Sequence, residues 1–309
     1  MAVTETRNAG GLRVTPLAGA LGAEVRGVAL ADAGPAETAM VWRLLGEHMV
    51  LFFPGQFLTI EQHVAFGRHF GPLDRHPHLK NPFTEHPEVF ELAASAGGVA
   101  DEWHTDLTFL AEPSLCSILN MVRCPPVGGD TMWTNLERAY DELSAPLRDL
   151  CDGLTALHDA SPHGRPESMA VHPVVRVHPE TGRRALYVNE HFTRRIVELS
   201  HAESNVLLGF LTSWVHDERF TVRYRWAEGT VGLWDNRCTQ HYVLNDFVGE
   251  RIIQRVTVMG DRPIGDRPIG DPPRWEPFTR SRASAQSRHD RQLRRFLAHA
   301  EPTTDTTPA

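Results

Sequence analysis

The segment "EWHTDLTF" holds His104 and Asp106 two residues apart. In extended backbone the two side chains project to the same side, so an imidazole and a carboxylate can meet one metal ion. Further along, "GLWDNRCTQHYVLNDF" carries His241 beyond a strand-like run and a turn-rich Asp-Asn-Arg. Two histidines and one carboxylate are the ligand set that covers one face of Fe(II) and leaves the other open for a cosubstrate and for dioxygen. Each signal is weak when taken singly. An H-x-D pair arises by chance about once in a chain this rich in His and Asp, and His241 has an alternative as a residue filling space beside its strand.

A third group is "RIIQRVTVMGD", in which Arg251 and Arg255 lie four apart in strand-like alternation. On a strand they share a face about 13 Å apart at ~3.3 Å rise per residue, with Ile253 between them. Ile252, Val256 and Val258 face the other way. Arginines on the inward side of a sheet are costly unless each meets an anion, and carboxylate or sulfonate oxygens suit the guanidinium fork. Two exposed edge-strand arginines are the alternative, and these residues alone leave both readings open.

These residues need elements to hold them. Ala23 to Leu30 and Met49 to Gly55 read as strands around a helix near Ala36 to His48. A second helix is expected from Ile60 to Phe70, with His63, Phe66 and Phe70 near one face. Residues 71–101, rich in Pro, His and Gly, read as a long loop and therefore as an active-site lid. Leu115 to Val122 reads as a buried strand, and "PPVGGD" turns into a short strand at Thr131 to Trp133 with a helix beginning near Asn135. Ser200 and Glu203 form a capping box for a helix reaching Val215. Phe220 to Trp226, Val231 to Asp235 and Arg251 to Met259 make the last third mainly β. Beyond them, "GDRPIGDRPIG" repeats only twice, too few units for a solenoid. The tail reads as a solvated extension with one short helix around Arg291 to Ala300.

With 41% hydrophobic and 23% charged residues among 309, the chain can bury a sizeable core, which excludes disorder and collagen-like architecture. A formal charge of −8 offers no basic surplus, so nucleic acid is not an expected partner. The opening residues lack a signal-like apolar run, and no stretch approaches the ~20 apolar residues of a membrane helix, so a cytoplasmic location without a membrane partner is expected. Cys116, Cys124, Cys151 and Cys238 are scattered without a CxxC pair, which points to buried thiols rather than a zinc knuckle or a disulfide framework.

Together these stretches resemble the taurine dioxygenase (TauD/TfdA) family of Fe(II)- and 2-oxoglutarate-dependent oxygenases. The likeness runs in order from "VTPLAGALGAEVRGVAL" through "VLFFPGQ", "WHTDLTF", "GGDTMWT", "HPVVRVHPETG", "LYVNEHFTRRIV" and "LWDNRCTQHY" to "RVTVMGD". The resemblance implies a mainly β fold with flanking helices, a double-stranded β-helix or jelly roll of cupin-like form. It implies one catalytic domain over residues 1–261, with 262–309 as a C-terminal extension, partly flexible. It also implies Fe(II) and 2-oxoglutarate with O2 as cosubstrate, and His104, Asp106 and His241 as metal ligands. Thr131 and Arg251 would hold the remote carboxylate of 2-oxoglutarate. Arg255, His76 and Phe192 match the positions that line the substrate site in that family.

Two departures bear on substrate. Leu79 and Ala100 stand where taurine-cleaving members carry a Tyr and an Asn, so hydrogen-bonding groups are lost. The expectation is a small anionic organic substrate, taurine or a related alkylsulfonate, hydroxylated beside sulfur to give sulfite and an aldehyde, with succinate and CO2 as coproducts. The same chemistry on an alkyl sulfate ester, an aryloxy-carboxylate or a biosynthetic intermediate is an alternative. A cupin-like protein holding zinc without oxygenase activity is another. Homo-oligomers are common in the family and are expected here.

Overall fold

The computed structural model describes residues 7–9, 11–75, 83, 85–94, 100–266, 274–278 and 288–300. In chain order the strands are β1 (Arg7–Ala9), β2 (Leu12–Pro16), β3 (Ala23–Arg26), β4 (Val50–Phe53), β5 (Phe90–Ala93), β6 (Ser114–Arg123), β7 (Thr131–Asn135) and β8 (Thr155–Ala160). They continue as β9 (Arg165–Pro173), β10 (Val175–Val177), β11 (Arg184–Leu186), β12 (Thr193–Ile196), β13 (Thr221–Tyr224), β14 (Val231–Asp235), β15 (Thr239–Val243) and β16 (Ile252–Met259). The helices are α1 (Pro35–His48), α2 (Ile60–Arg68), α3 (Leu136–Asp141), α4 (Ala145–Cys151), α5 (His201–Trp214) and α6 (Arg288–Ala300).

One large sheet runs in the order β1-β2-β3-β4-β14-β6-β16-β5. Smaller sheets β13-β7-β15, β12-β8-β9 and β10-β11 complete the jelly roll. The central strands are apolar on both faces because both are covered. Phe52, Leu119, Met121, Trp234 and Ile253 point inward to Trp133 and Tyr224 of the small sheet and to Trp226 just beyond β13. Leu51, Phe53, Ile118, Leu233 and Val256 point outward to Val41, Leu44 and Leu45 of α1 and to Val64 and Phe66 of α2. The period-2 reading of β16 holds, since Ile253 joins the inner cluster while Val256 and Val258 join the outer one. The expected cap of α5 forms, with Ser200 Oγ accepting the Glu203 N–H, and the helix expected near Asn135 begins there, Asn135 Oδ1 accepting two N–H groups ahead of α3.

Three elements differ from the sequence reading. The loop expected over residues 71–101 contains β5, which pairs antiparallel with β16 so that Phe90 lies opposite Arg255. Four residues are too few for periodicity to register. His76 and Leu79 fall outside the described residues. His241 follows β14 and its Asp-Asn-Arg turn as expected, but it also lies within a strand that the pattern did not mark, β15, in register with Trp133 of β7. The C-terminal helix packs rather than standing free. Leu293 is buried against Leu157 and Val197, and the buried Arg195 pairs with Asp290. Its apolar side, Leu293 and Leu297, is a narrow stripe among charged residues, which is why composition suggested a solvated tail. All four cysteines are free, three of them buried. Among the described residues no helix is long and apolar enough to cross a membrane.

Candidate active site

His104 and His241 face each other as an isolated antiparallel bridge, each N–H donating to the other's carbonyl at 3.1 and 2.8 Å. Asp106 joins them from a turn rather than from extended chain. Leu107, the next residue, adopts φ 59°, a left-handed conformation that costs a leucine roughly 1–2 kcal/mol. The ligand atoms of His104, Asp106 and His241 lie within 4.8 Å of one another, all three residues buried.

The protonation pattern suits a cation. His104 Nδ1 donates to the Glu102 carbonyl at 2.7 Å, which leaves the Nε2 lone pair facing Asp106 Oδ1 at 3.8 Å. Burial lowers the His104 pKa to about 4 against the opposing charge of Asp106. Burial, reinforced by His104, likewise holds His241 well below the usual imidazole range. Both rings are therefore neutral near pH 7, the form that ligates metal. Burial works against the Asp106 carboxylate, but the Arg255 guanidinium and a hydrogen bond from Ser117 outweigh it and hold the group ionised at neutral pH. Ser117 Oγ donates to Oδ2 at 2.7 Å, and Arg255 Nη1 donates to Oδ1 at 2.7 Å. Asn236 steadies this arrangement by donating to Ser117 Oγ at 2.9 Å. Its Oδ1 accepts the Asp106 N–H and the indole N–H of Trp234. Two neutral imidazole nitrogens and one carboxylate oxygen on a common focus fit a divalent iron with one face left free.

A second pole lies at the start of β16. Arg251 is 2% exposed, and among the described residues no carboxylate pairs with it. Its Nε donates to the Gly129 carbonyl at 3.0 Å and its Nη2 approaches Thr131 Oγ1 at 3.4 Å. Gly129 sits at φ +69°, and a Cβ there would lie 3.1 Å from Arg251 Cδ, so the Gly-Gly turn makes the room in which the arginine lies. Burial lowers the Arg251 pKa to about 10, so it stays charged at neutral pH. A buried cation without a counter-ion is a site awaiting an anion.

Beside His104 stands an apolar wall of Phe109, Ala160 and Phe192 with Leu107 and Leu110 packed against it. The Phe192 ring lies edge-on to His104 at 6.3 Å. Ala100 lies beside the strand of His241, its carbonyl accepting the Val243 N–H. Arg255, expected free for a substrate anion, is paired with Asp106 and stacked over Phe90. Sequence reasoning missed Glu102, Ser117, Asn236 and Trp226. For Ser117 a signal existed, a hydroxyl on the inward face of an otherwise apolar strand.

A second cluster, His178, Asp235 and Cys238, also brings metal-ligand types together. Its donors are committed. His178 Nδ1 accepts from the Glu180 and Thr181 N–H groups, so Nε2 carries the proton it gives to Asp235 Oδ2. Arg237 holds both oxygens of Asp235.

The model of the taurine catabolism dioxygenase TauD, TfdA family matches residues 13–257. The chain belongs to the TauD/TfdA family. With the family comes the enzyme class, an Fe(II)- and 2-oxoglutarate-dependent dioxygenase using O2. Among its relatives is an alpha-ketoglutarate-dependent sulfate ester dioxygenase of Pseudomonas putida, 39% identical over 82% of this chain and 91% of that one. An alkylsulfatase of Acinetobacter baylyi is 35% identical over 81% of this chain and 86% of its own length. A solved taurine dioxygenase from Burkholderia xenovorans superimposes with a TM-score of 0.77 at 42% identity, covering 83% of this chain and 92% of that one. The jelly roll expected from the sequence is the fold of this TauD/TfdA protein.

Proposed function

We propose that this dioxygenase oxidises an alkyl sulfate ester or alkylsulfonate at the carbon next to the anionic group. In this reading His104, Asp106 and His241 hold the iron, while Arg251 and Thr131 anchor the remote carboxylate of 2-oxoglutarate. The observation that carries it is Arg251, a buried guanidinium with no carboxylate partner, in the same jelly roll as a buried His-Asp-His cluster. A hydrolytic metal protein has no need of such an anion seat.

The bound iron and 2-oxoglutarate supply the oxidising power: with O2 they yield succinate and CO2 and place a hydroxyl on the substrate carbon. The chain's own residues do the positioning. Glu102 fixes the His104 tautomer, and Ser117 with Asn236 fixes the rotation of Asp106. Phe109, Phe192 and Leu107 exclude water and present an apolar surface to the alkyl arm. Arg255, 15% exposed in its side chain, is the cation nearest the metal cluster and the group to receive the substrate's sulfate or sulfonate. The hydroxylated carbon then loses its sulfur group, giving an aldehyde with sulfate from an ester or sulfite from a sulfonate. An apolar wall suits an alkyl chain better than the ammonium end of taurine, and two relatives carry sulfate-ester names.

The same reading assigns residues 1–261 to the catalytic domain, since every candidate residue lies there, with 262–309 as its extension. It also takes the enzyme to be cytoplasmic and homo-oligomeric, the latter measurable by sedimentation. The functional test is an anaerobic titration of the protein with Fe(II) and 2-oxoglutarate, following the visible charge-transfer band, and then with alkyl sulfates, alkylsulfonates, taurine and aryloxy acids. A band that shifts with alkyl sulfates or alkylsulfonates supports the proposal. A shift only with aryloxy acids would overturn the substrate class, and no band with iron bound would overturn the cosubstrate site.

A further inference from the structure

We propose that Trp226 is a positioning residue for the cosubstrate: its indole N–H fixes the Thr131 hydroxyl as a pure donor toward the incoming carboxylate. The inference rests on the reading of Thr131 and Arg251 as the carboxylate anchor.

A threonine hydroxyl has one proton and two acceptor lone pairs, and it rotates to suit its surroundings. Thr131 Oγ1 is buried and receives two donors, the indole N–H of Trp226 at 2.9 Å and a guanidinium N–H of Arg251 at 3.4 Å. With both lone pairs engaged, its own proton must point elsewhere, and no acceptor among the described residues takes it. The hydroxyl therefore has a donor to offer and no acceptor capacity. That polarity favours a carboxylate oxygen over water or a neutral amide, which would each do as well with a freely turning hydroxyl.

Packing holds the indole in place. Trp226 is 5% exposed and sits edge-on to Phe52 at 5.8 Å and to Tyr224 at 5.3 Å. Gly232 on β14 gives it room, for a Cβ there would lie 2.7 Å from the indole ring. The neighbouring side chains Phe52, Trp133 and Tyr224 form no hydrogen bond to Thr131, so the N–H is the polar link between this aromatic cluster and the anchor. The period-2 pattern of "FTVRYRW" counts Trp226 only as an apolar strand residue, so nothing in the pattern marks its N–H.

The test compares two ligands on the Mn(II)-loaded protein by calorimetry: 2-oxoglutarate, and 2-oxobutyrate, which keeps the keto-acid end and lacks the remote carboxylate. Trp226→Phe should weaken 2-oxoglutarate about tenfold and leave 2-oxobutyrate within about twofold. Thr131→Val should weaken 2-oxoglutarate as well, and the double variant should bind it no worse than Thr131→Val alone. An unchanged 2-oxoglutarate affinity in Trp226→Phe would overturn the inference. So would equal losses for both ligands, or additive losses in the double variant, either of which makes Trp226 a packing residue. If the unsubstituted protein binds both ligands alike, the anchor reading itself fails and takes this inference with it.

Discussion

Two buried clusters in this molecule are built from nearly the same parts. His104, Asp106 and His241 form one; His178, Asp235 and Cys238 form the other. The second is closed, because Arg237 and His178 occupy both oxygens of Asp235 and two backbone N–H groups occupy His178 Nδ1. The first keeps lone pairs uncommitted, with His104 Nε2 free and His241 Nδ1 without a hydrogen-bond partner. Ligand types and proximity are therefore insufficient to make a metal site. What separates the clusters is whether the protein has already satisfied the imidazole nitrogens, since Asp106, like Asp235, has both oxygens hydrogen-bonded.

The sharpest way to break the comparison is to remove the carboxylate from each. Asp106→Ala should cost at least about a thousandfold in turnover and abolish tight Fe(II) binding by calorimetry while the chain stays folded. Asp235→Ala should do the reverse, destabilising the fold by about 3–5 kcal/mol in urea titration because it leaves the buried Arg237 with only the partly exposed Glu180 as a counter-ion. Equal stability losses in the two variants would mean that the first cluster is structural as well. At the second pole, Arg251→Ala should raise the half-saturating 2-oxoglutarate concentration by about a hundredfold, through loss of charge-assisted bonds, with iron affinity little changed.

Acid should separate the clusters along the pH axis. The His104 pKa falls to about 4 in the fold from its ordinary 6.5, so the unfolded chain binds the extra proton between those values. The stability it contributes to the metal-free protein is complete above about pH 6.5 and is lost as the pH falls toward 4. Asp235 is held below its ordinary 3.8, with burial opposing and Arg237 and His178 prevailing, so its contribution is lost only at lower pH. Urea midpoints measured from pH 7 to pH 3 should thus fall in two stages, and His104→Asn should reduce the first, which His104 shares with the buried His63, His158, His172, His216 and His241, and leave the second unchanged.

The sequence made one cluster legible and hid the other for a physical reason. His104, Asp106, His241 and Arg251 stand out, each weakly, through residue types that are expensive to bury, set in strand-like or turn contexts, whereas Thr131 is implied by the family resemblance alone. Helices with caps and strands with clean alternation were readable on the same grounds, as α5 and β16 show. What could not be read depends on partners distant in the chain. The pattern around Arg255 gives no sign of its pairing with Asp106, 149 positions away, and that around Trp226 no sign of the N–H it gives Thr131, 95 positions away. The edge strand β5 and the docking of α6 are set by tertiary pairing and leave little local pattern.

The smallest effect tests how far the first cluster's openness is itself constructed. Ser117 donates to Asp106 Oδ2 and receives from Asn236, while Arg255 donates to Oδ1, the oxygen that also faces His104 Nε2. Without the Ser117 tether the carboxylate is held through Oδ1 alone, by Arg255, and part of its orientation has to be fixed at the moment of metal binding. Ser117→Ala should therefore weaken Fe(II) binding about tenfold, within the range expected for partners that orient a ligand. Ser117→Thr, which keeps the hydroxyl, should recover most of the loss if the added methyl is accommodated beside Asn236. Unchanged iron affinity in Ser117→Ala would mean that the backbone turn at Asp106 and Leu107 alone aims the ligand, which would shift the distinction between the clusters from side-chain tethering to backbone geometry.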